Sequence, residues 1–264
     1  MTERLVAGLL LSIVIAGAGR RAGALTGRGA VAAAFIGTAV ILGASWVGGL
    51  LLGAFFVSSS ALSKLPGPPT AAAKGGRRDA RQVLANGGGA ALAALSASWL
   101  GAGAALAMIA GSLAAATADT WATEIGTRSG RAPRMLLSRV TVPVGVSGGI
   151  TMPGTIASAG GAALIALVAA VGVALTGVAE PVTLAALVIL AGIAGALLDS
   201  LLGELAQQRR RCDACDEWTE ATVHRCGAPT THAAGIRWVD NDVVNVACTM
   251  SGLVVAALGY ALLR

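Results

Sequence analysis

Six stretches without a single charged side chain decide what this chain can fold into. They cover residues 5–19, 29–63, 82–118, 140–179, 181–198 and 243–263, and are 15, 35, 37, 40, 18 and 21 residues long. A helix needs about 17–25 predominantly apolar residues to cross a bilayer. The runs do not alternate as barrel strands do, so helices are the spanning structure that satisfies their backbone groups in lipid. With 55% hydrophobic residues, 12% charged residues and a mean hydropathy of +0.76, the composition excludes a water-soluble enzyme, a disordered protein or a disulfide scaffold. The expected fold is all-α: a single integral membrane domain over residues 1–264, a polytopic bundle of seven or eight transmembrane helices.

The three longest runs exceed one span, and small and polar residues break them near 43–49, 96–101 and 143–154. This predicts helices near 5–19, 29–43, 47–63, 82–97, 100–118, 155–177, 181–205 and 243–263. Loops 20–28, 64–81 (including Lys74), 119–149 and 206–242 carry 17 of the 19 Lys and Arg. The turns near 43–49, 98–101 and 177–181 carry none. Eight helices therefore place every basic loop on one face, read as cytosolic, with both termini opposite. If 29–63 is one span, only loop 20–28 changes side. The net charge of +6 is read as topology and attraction to anionic membrane lipids, with no nucleic-acid partner. Arg20 and Arg21 follow the first apolar run and further spans follow them, which favours a retained helix over a signal peptide. The expected location is the cell membrane, multi-pass, with the active site facing the cytoplasm.

Six of the 13 acids sit at the loop-side ends of predicted helices: Asp119 and Glu124, Asp199 and Glu204, Asp240 and Asp242. An ionised carboxylate at membrane depth is costly unless paired or metal-bound, which marks such residues as functional candidates. Asp119-Thr120 before Glu124 matches Asp199-Ser200 before Glu204, a weak internal repeat of parallel orientation. Residues five apart lie about 140° apart around a helix, so Asp119 and Glu124 face one point only if the helix ends between them. Two readings stand: pairing with neighbouring arginines, or joint coordination of Mg2+, a hard cation that takes a few carboxylates plus substrate phosphates. Asn241 and Asn245 share a face at the start of the last helix. Capping accounts for Asp240 or Asn241 but not for Asn245.

Residues 145–155 join a basic loop to a helix and contain Ser147, Gly148, Gly149, Thr151, Gly154 and Thr155. Glycines let backbone N–H groups approach an anion, and the helix N-terminus favours negative charge. A re-entrant turn with an N-cap is the equal alternative. Ser59, Lys64, Arg81 and Asn86 also offer polar groups at headgroup depth, although Lys64 and Arg81 could instead snorkel to lipid phosphates. There is no P-loop, no zinc-protease motif and no dinucleotide fingerprint. Loop 206–242 contains Cys212-x2-Cys215-x8-His224-x-Cys226. A structural Zn2+ and unliganded thiols are both open readings of this knuckle. Cys248 reads as an apolar filler.

Several motifs in chain order resemble one family. They are 119–126, the 145–155 loop, 198–203, the Cys/His set, 241–245, and the N-terminal segments 55–60 and 82–88. Together they are similar to the integral membrane family called domain of unknown function 92, or transmembrane protein 19-like, across nearly the whole chain. That family includes a plant phytyl-phosphate kinase, so the resemblance implies conversion of a prenyl monophosphate to its diphosphate with a nucleoside triphosphate such as CTP. The family has Gly-Ala where this chain has Gly203-Glu204, which ranks Asp199 above Glu204. On this reading Asp119, Glu124, Asp199 and Asp242 hold Mg2+ or orient the attacking phosphate, and Asn241 and Asn245 belong to the same shell. Ser59, Lys64, Arg81, Asn86 and the 147–155 loop residues bind phosphate. Two other functions fit the same groups: a transporter or lipid flippase with intramembrane ion sites, and a nucleotidyltransferase acting on a phosphorylated lipid. A transporter puts the charges near the bilayer midplane; a kinase clusters them at one face.

Overall fold

The computed structural model describes residues 2–67 and 77–263; Lys74 lies outside them. Among the described residues, eight helices and five short strands follow in the order α1 (Thr2–Arg21), α2 (Gly27–Ser63), α3 (Ala80–Leu95), α4 (Ala97–Leu100), α5 (Ala102–Arg128), β1 (Arg134–Met135), β2 (Gly149–Ile150), α6 (Met152–Thr176), α7 (Pro181–Leu205), β3 (Arg209–Cys212), β4 (Glu217–Thr219), β5 (Thr231–Ala234) and α8 (Asn241–Leu262). Six of them, α1, α2, α5, α6, α7 and α8, are long and apolar enough to cross a membrane. The protein is a polytopic helical bundle.

The expected break in the 29–63 run is real. At Ala44 and Ser45 the backbone leaves the helical region, with Ser45 at φ 57°. A methyl group placed on Gly37 would lie 3.9 Å from Leu52, whereas 15 residues of continuous helix would hold them about 22 Å apart. The two halves of α2 therefore fold back on each other as a hairpin. Its two ends meet at one face, where the Arg78 backbone is hydrogen-bonded to Ala24 and Thr26 (2.9 and 3.0 Å) and its side chain to Ser60 Oγ (3.1 Å).

That face gathers the basic loops. Arg81 pairs with Asp240, Arg128 donates to the carbonyls of Leu65 and Pro66, and Glu204 accepts from the amides of Leu137 and Ser138. Glu204 is thereby explained as an anchor for a turn. Two boundaries differ from the sequence reading. The helix expected over 100–118 continues to Arg128, because Asp119–Arg128 is stabilised by α2 and α6 packed alongside and by the i, i+4 pair of Glu124 with Arg128. Loop 206–242 folds into a three-stranded antiparallel sheet of order β4-β3-β5.

α5 is the central helix, buried along 105–118 between α2, α3, α6, α7 and α8. In lipid, helices associate through close packing of small residues rather than by expelling water. Gly111 meets Gly252 and Ala256, Gly192 meets Ala114 and Ala162, and Gly195 meets Ala115. A Cβ on Gly195 would overlap Ala115 and lie 2.9 Å from the Cys248 carbonyl. Gly195→Val is therefore expected to lower the thermal unfolding midpoint in detergent, since overpacking costs about 1–3 kcal/mol. Gly88→Ala, at a position with nothing within 4 Å, is expected to leave the midpoint unchanged or raise it.

Candidate functional site

A cavity of about 600 Å3 opens among the basic-face ends of α5, α6, α7 and α8 and the 145–151 loop. Close packing of α5 on α7 through glycine and alanine brings the Asp119 and Asp199 carboxyls within hydrogen-bonding reach at its floor. Asp199 Oδ1 is buried and receives no hydrogen bond among the described residues. Thr120 and Ser200, which follow the two aspartates, both donate to carbonyls one turn back, on Ala116 (2.8 Å) and Ala196 (3.1 Å). Thr120 and Ser200 thus play equivalent roles at equivalent positions of the two similar segments, and both line the cavity beside their aspartates.

A third carboxylate, absent from the sequence reading, approaches from the loop sheet. Glu220, just after β4, interacts electrostatically with Asp199. It accepts hydrogen bonds from Gln207 Nε2 (2.8 Å) and Ser147 Oγ. Nothing in its neighbourhood marks it, because it sits in a loop between a cysteine pair and a histidine. Arg78 was also passed over. Its guanidinium lies half-buried in the cavity wall, 5.8 Å from the Phe55 ring centroid. Burial pushes it below the ordinary arginine range, and the Glu124 carboxylate opposes that shift; an arginine in this position keeps its charge.

Of the expected residues, Asp119, Glu124, Asp199, Asn86, Ser147, Gly148, Gly149, Thr151, Gly154, Thr155, Asn241 and Asn245 line the cavity. Glu124 is already engaged by Arg128 (2.5 Å) and Ser63 Oγ (2.5 Å). Because α5 stays helical past it, Glu124 points away from the Asp119–Asp199 pair. Asp242 is buried beside Arg81 (3.4 Å), and Asp240 caps α8 while pairing with Arg81 at 2.8 Å. Asp242, Arg81, the exposed Lys64 and the buried Ser59 do not line the cavity. In the glycine loop, Thr151 caps α6 by accepting from Gly154 N. Gly148 has φ +83° and its Cα rests on α7, where a Cβ would overlap Glu204 N. That glycine is accounted for by helix packing.

A second cavity, about 1020 Å3 and almost wholly apolar, runs between α1, α2, α3 and α6 past Leu11, Ile15, Leu52, Phe56 and Leu167. The two cavities share Arg78, Gln82 and Asn86. Two buried carboxylates in contact repel unless a cation or proton lies between them. The unpartnered Asp199 oxygen and the all-oxygen donor set fit a hard divalent cation such as Mg2+.

Apart from this site, the Sγ atoms of Cys212, Cys215 and Cys226 and a ring nitrogen of His224 all lie within 4.8 Å of one another. Hydrogen bonding from His224 holds the Cys226 thiol down at about 6, whereas hydrogen bonding with Cys226 pushes Cys215 up to about 12. His232 is elsewhere, 3.4 Å from Gln208.

The family described as Integral membrane protein DUF92 matches residues 10–253. The chain belongs to this family. Protein PGR of Arabidopsis thaliana is 27% identical to it over 92% of this chain and 91% of its own length. An uncharacterized membrane protein of Methanocaldococcus jannaschii is 40% identical over 37% of this chain and 39% of its own. No solved structure matches. The DUF92 match spans every helix that builds the acidic cavity, from α2 to the first half of α8.

Proposed function

We propose that this DUF92 protein is a Mg2+-dependent phosphotransferase that converts a prenyl monophosphate to its diphosphate with a nucleoside triphosphate, CTP foremost. The carrying observation is the junction of the two cavities: an apolar groove sized for a ligand tail adjoins a carboxylate-lined chamber through Arg78, Gln82 and Asn86. An amphiphile with a charged head and a long apolar tail is the ligand that this pair of cavities suits. The basic loops favour a cytosolic orientation in the cell membrane, where nucleotide is available.

Phosphoryl transfer demands positioning and charge neutralisation more than covalent chemistry. The prenyl monophosphate is already ionised, so one of its oxygens attacks the terminal phosphorus of the nucleotide without a strong base. The bond to the leaving nucleoside diphosphate breaks as the new P–O bond forms. Arg78 would hold the lipid phosphate at the mouth of the groove, and Asn86, Asn241 and Asn245 would orient phosphate oxygens by donating N–H. Asp119 and Asp199 would hold Mg2+, which supplies charge neutralisation at the transferred group.

A flippase or transporter is disfavoured by depth. Asp119 and Asp199 lie 17 and 18 residues from the far ends of α5 and α7, about 26 Å along the axis, near one edge of a hydrocarbon core about 30 Å thick. Purified protein incubated with prenyl monophosphates, Mg2+ and each nucleoside triphosphate is expected to yield prenyl diphosphate and nucleoside diphosphate in equal amounts. Pyrophosphate with a nucleotidyl lipid would identify a nucleotidyltransferase instead, and no turnover with any prenyl monophosphate would overturn the proposal.

A further inference from the structure

We infer that the loop sheet carries a structural zinc site formed by Cys212, Cys215, His224 and Cys226. The inference is independent of what the acidic cavity does.

Two tight turns supply the ligands in pairs. The first closes the β3–β4 hairpin: Asp216 N donates to Cys212 O (2.8 Å), with Cys212 opposite Glu217 in register, and leaves Cys212 and Cys215 on the same side. The second is closed by Gly227 N donating to His224 O (2.8 Å) and His224 N to Ala228 O (2.9 Å), with Gly227 at φ +86°. The unusual single-residue gap in His224-x-Cys226 is explained here, because the two residues are the first and third positions of this turn, whose reversal brings Cys226 Sγ to 3.2 Å from His224 Nδ1.

The ligand atoms converge on one point. Cys212 Sγ lies 3.7 Å from Cys226 Sγ, and Cys226 Sγ 3.2 Å from His224 Nδ1. Zinc–sulfur and zinc–nitrogen bonds of about 2.3 and 2.0 Å in a tetrahedron require ligand separations of about 3.5–3.8 Å. A disulfide would join two of the thiols and leave the third cysteine and the histidine without a reason to be there. Three sulfurs and one imidazole in this geometry select Zn2+ over the hard cation suited to the acidic cavity.

The surroundings supply an independent sign. His224 is buried, and its Nε2 lies 3.2 Å from Glu217 Oε2, while Arg225 holds both Glu217 oxygens at 2.8 Å. A carboxylate on the far ring nitrogen sets the tautomer and turns Nδ1 toward the sulfurs, as the outer partners of metal-bound histidines do. The two turns flank Glu220, whose carboxylate touches Ser147 and Gln207. A closed site here would pin the segment that carries Glu220, just after β4, against the acidic cavity.

The test uses the full chain purified in detergent without chelator from zinc-supplemented cells. Elemental analysis is expected to find one zinc per chain, unchanged in Cys248→Ser and near zero in Cys212→Ser and His224→Ala. Glu217→Gln is expected to weaken zinc retention in a competing-chelator titration by about ten- to hundredfold. Should the cysteine variants fail to fold, the wild type decides alone. Chelation should release one zinc and expose three thiols together, with trypsin then cutting at Arg209–Arg211. Folded wild-type protein free of zinc with the three loop thiols already reactive, or zinc retained equally in Cys212→Ser, would overturn the inference.

Discussion

Asp199→Asn is expected to reduce prenyl-phosphate turnover by about 100- to 1000-fold while the protein stays folded. Asparagine keeps the shape of the side chain but removes the charge that a divalent cation needs. Asp199 and Asp119 adjoin each other, and one Asp199 oxygen is buried without a hydrogen bond among the described residues. Removing either charge therefore relieves repulsion in metal-free protein. Thermal unfolding in a chelator should show equal or higher stability for Asp199→Asn and Asp119→Asn than for wild type. Mg2+ is expected to raise the wild-type midpoint by binding the folded state, and that rise should vanish in both variants. Because the two carboxylates act as a unit, the double substitution is expected to be little worse than either single one. Turnover within twofold of wild type, or a Mg2+ response that survives, would remove the pair from the mechanism.

Gly53→Leu is expected to change which lipid the protein accepts. Gly53 lines the apolar cavity on the second half of α2, and a Cβ there meets no atom within 4 Å. The added side chain would occupy groove volume without displacing the protein, and leucine favours helix over glycine. Each methylene denied its place costs about 0.8 kcal/mol, so excluding two of them lowers kcat/KM by about tenfold. A series of prenyl monophosphates of increasing length, measured against both proteins, should show that loss for the longest chains and near-parity for the shortest. A uniform loss at every length would mean that the groove does not hold the tail.

The helical bundle was legible because the break at Ala44–Ser45, the runs of small residues and the basic loops are local features. The candidate site was legible in part. Asp119 and Asp199 stand out as acids at the ends of apolar helices, and that pair does meet. Glu124, Glu204 and Asp242 carry the same signal, yet Glu124 pairs with Arg128, Glu204 anchors the 137–138 turn and Asp242 packs against Arg81. A carboxylate at a helix end looks the same in sequence whichever partner it finds. The glycine loop is ambiguous in sequence for a similar reason: close approach to an anion and close approach to a neighbouring helix both call for glycine, and Gly148, which lines the cavity, also rests on α7.

What the sequence alone determined is the solvent in which this chain folds and the face on which its charges gather. Hydrocarbon penalises each bare backbone group and each charge where it stands, so the apolar spans and the basic loops between them show in the sequence. Only the tertiary structure decided which of those charges share a cavity. Asp119 and Asp199 are joined there by Glu220 and Arg78, which come from separate loops. Their meeting depends on the rotation of each helix about its axis and on how closely α5 and α7 approach, quantities set by packing between distant segments.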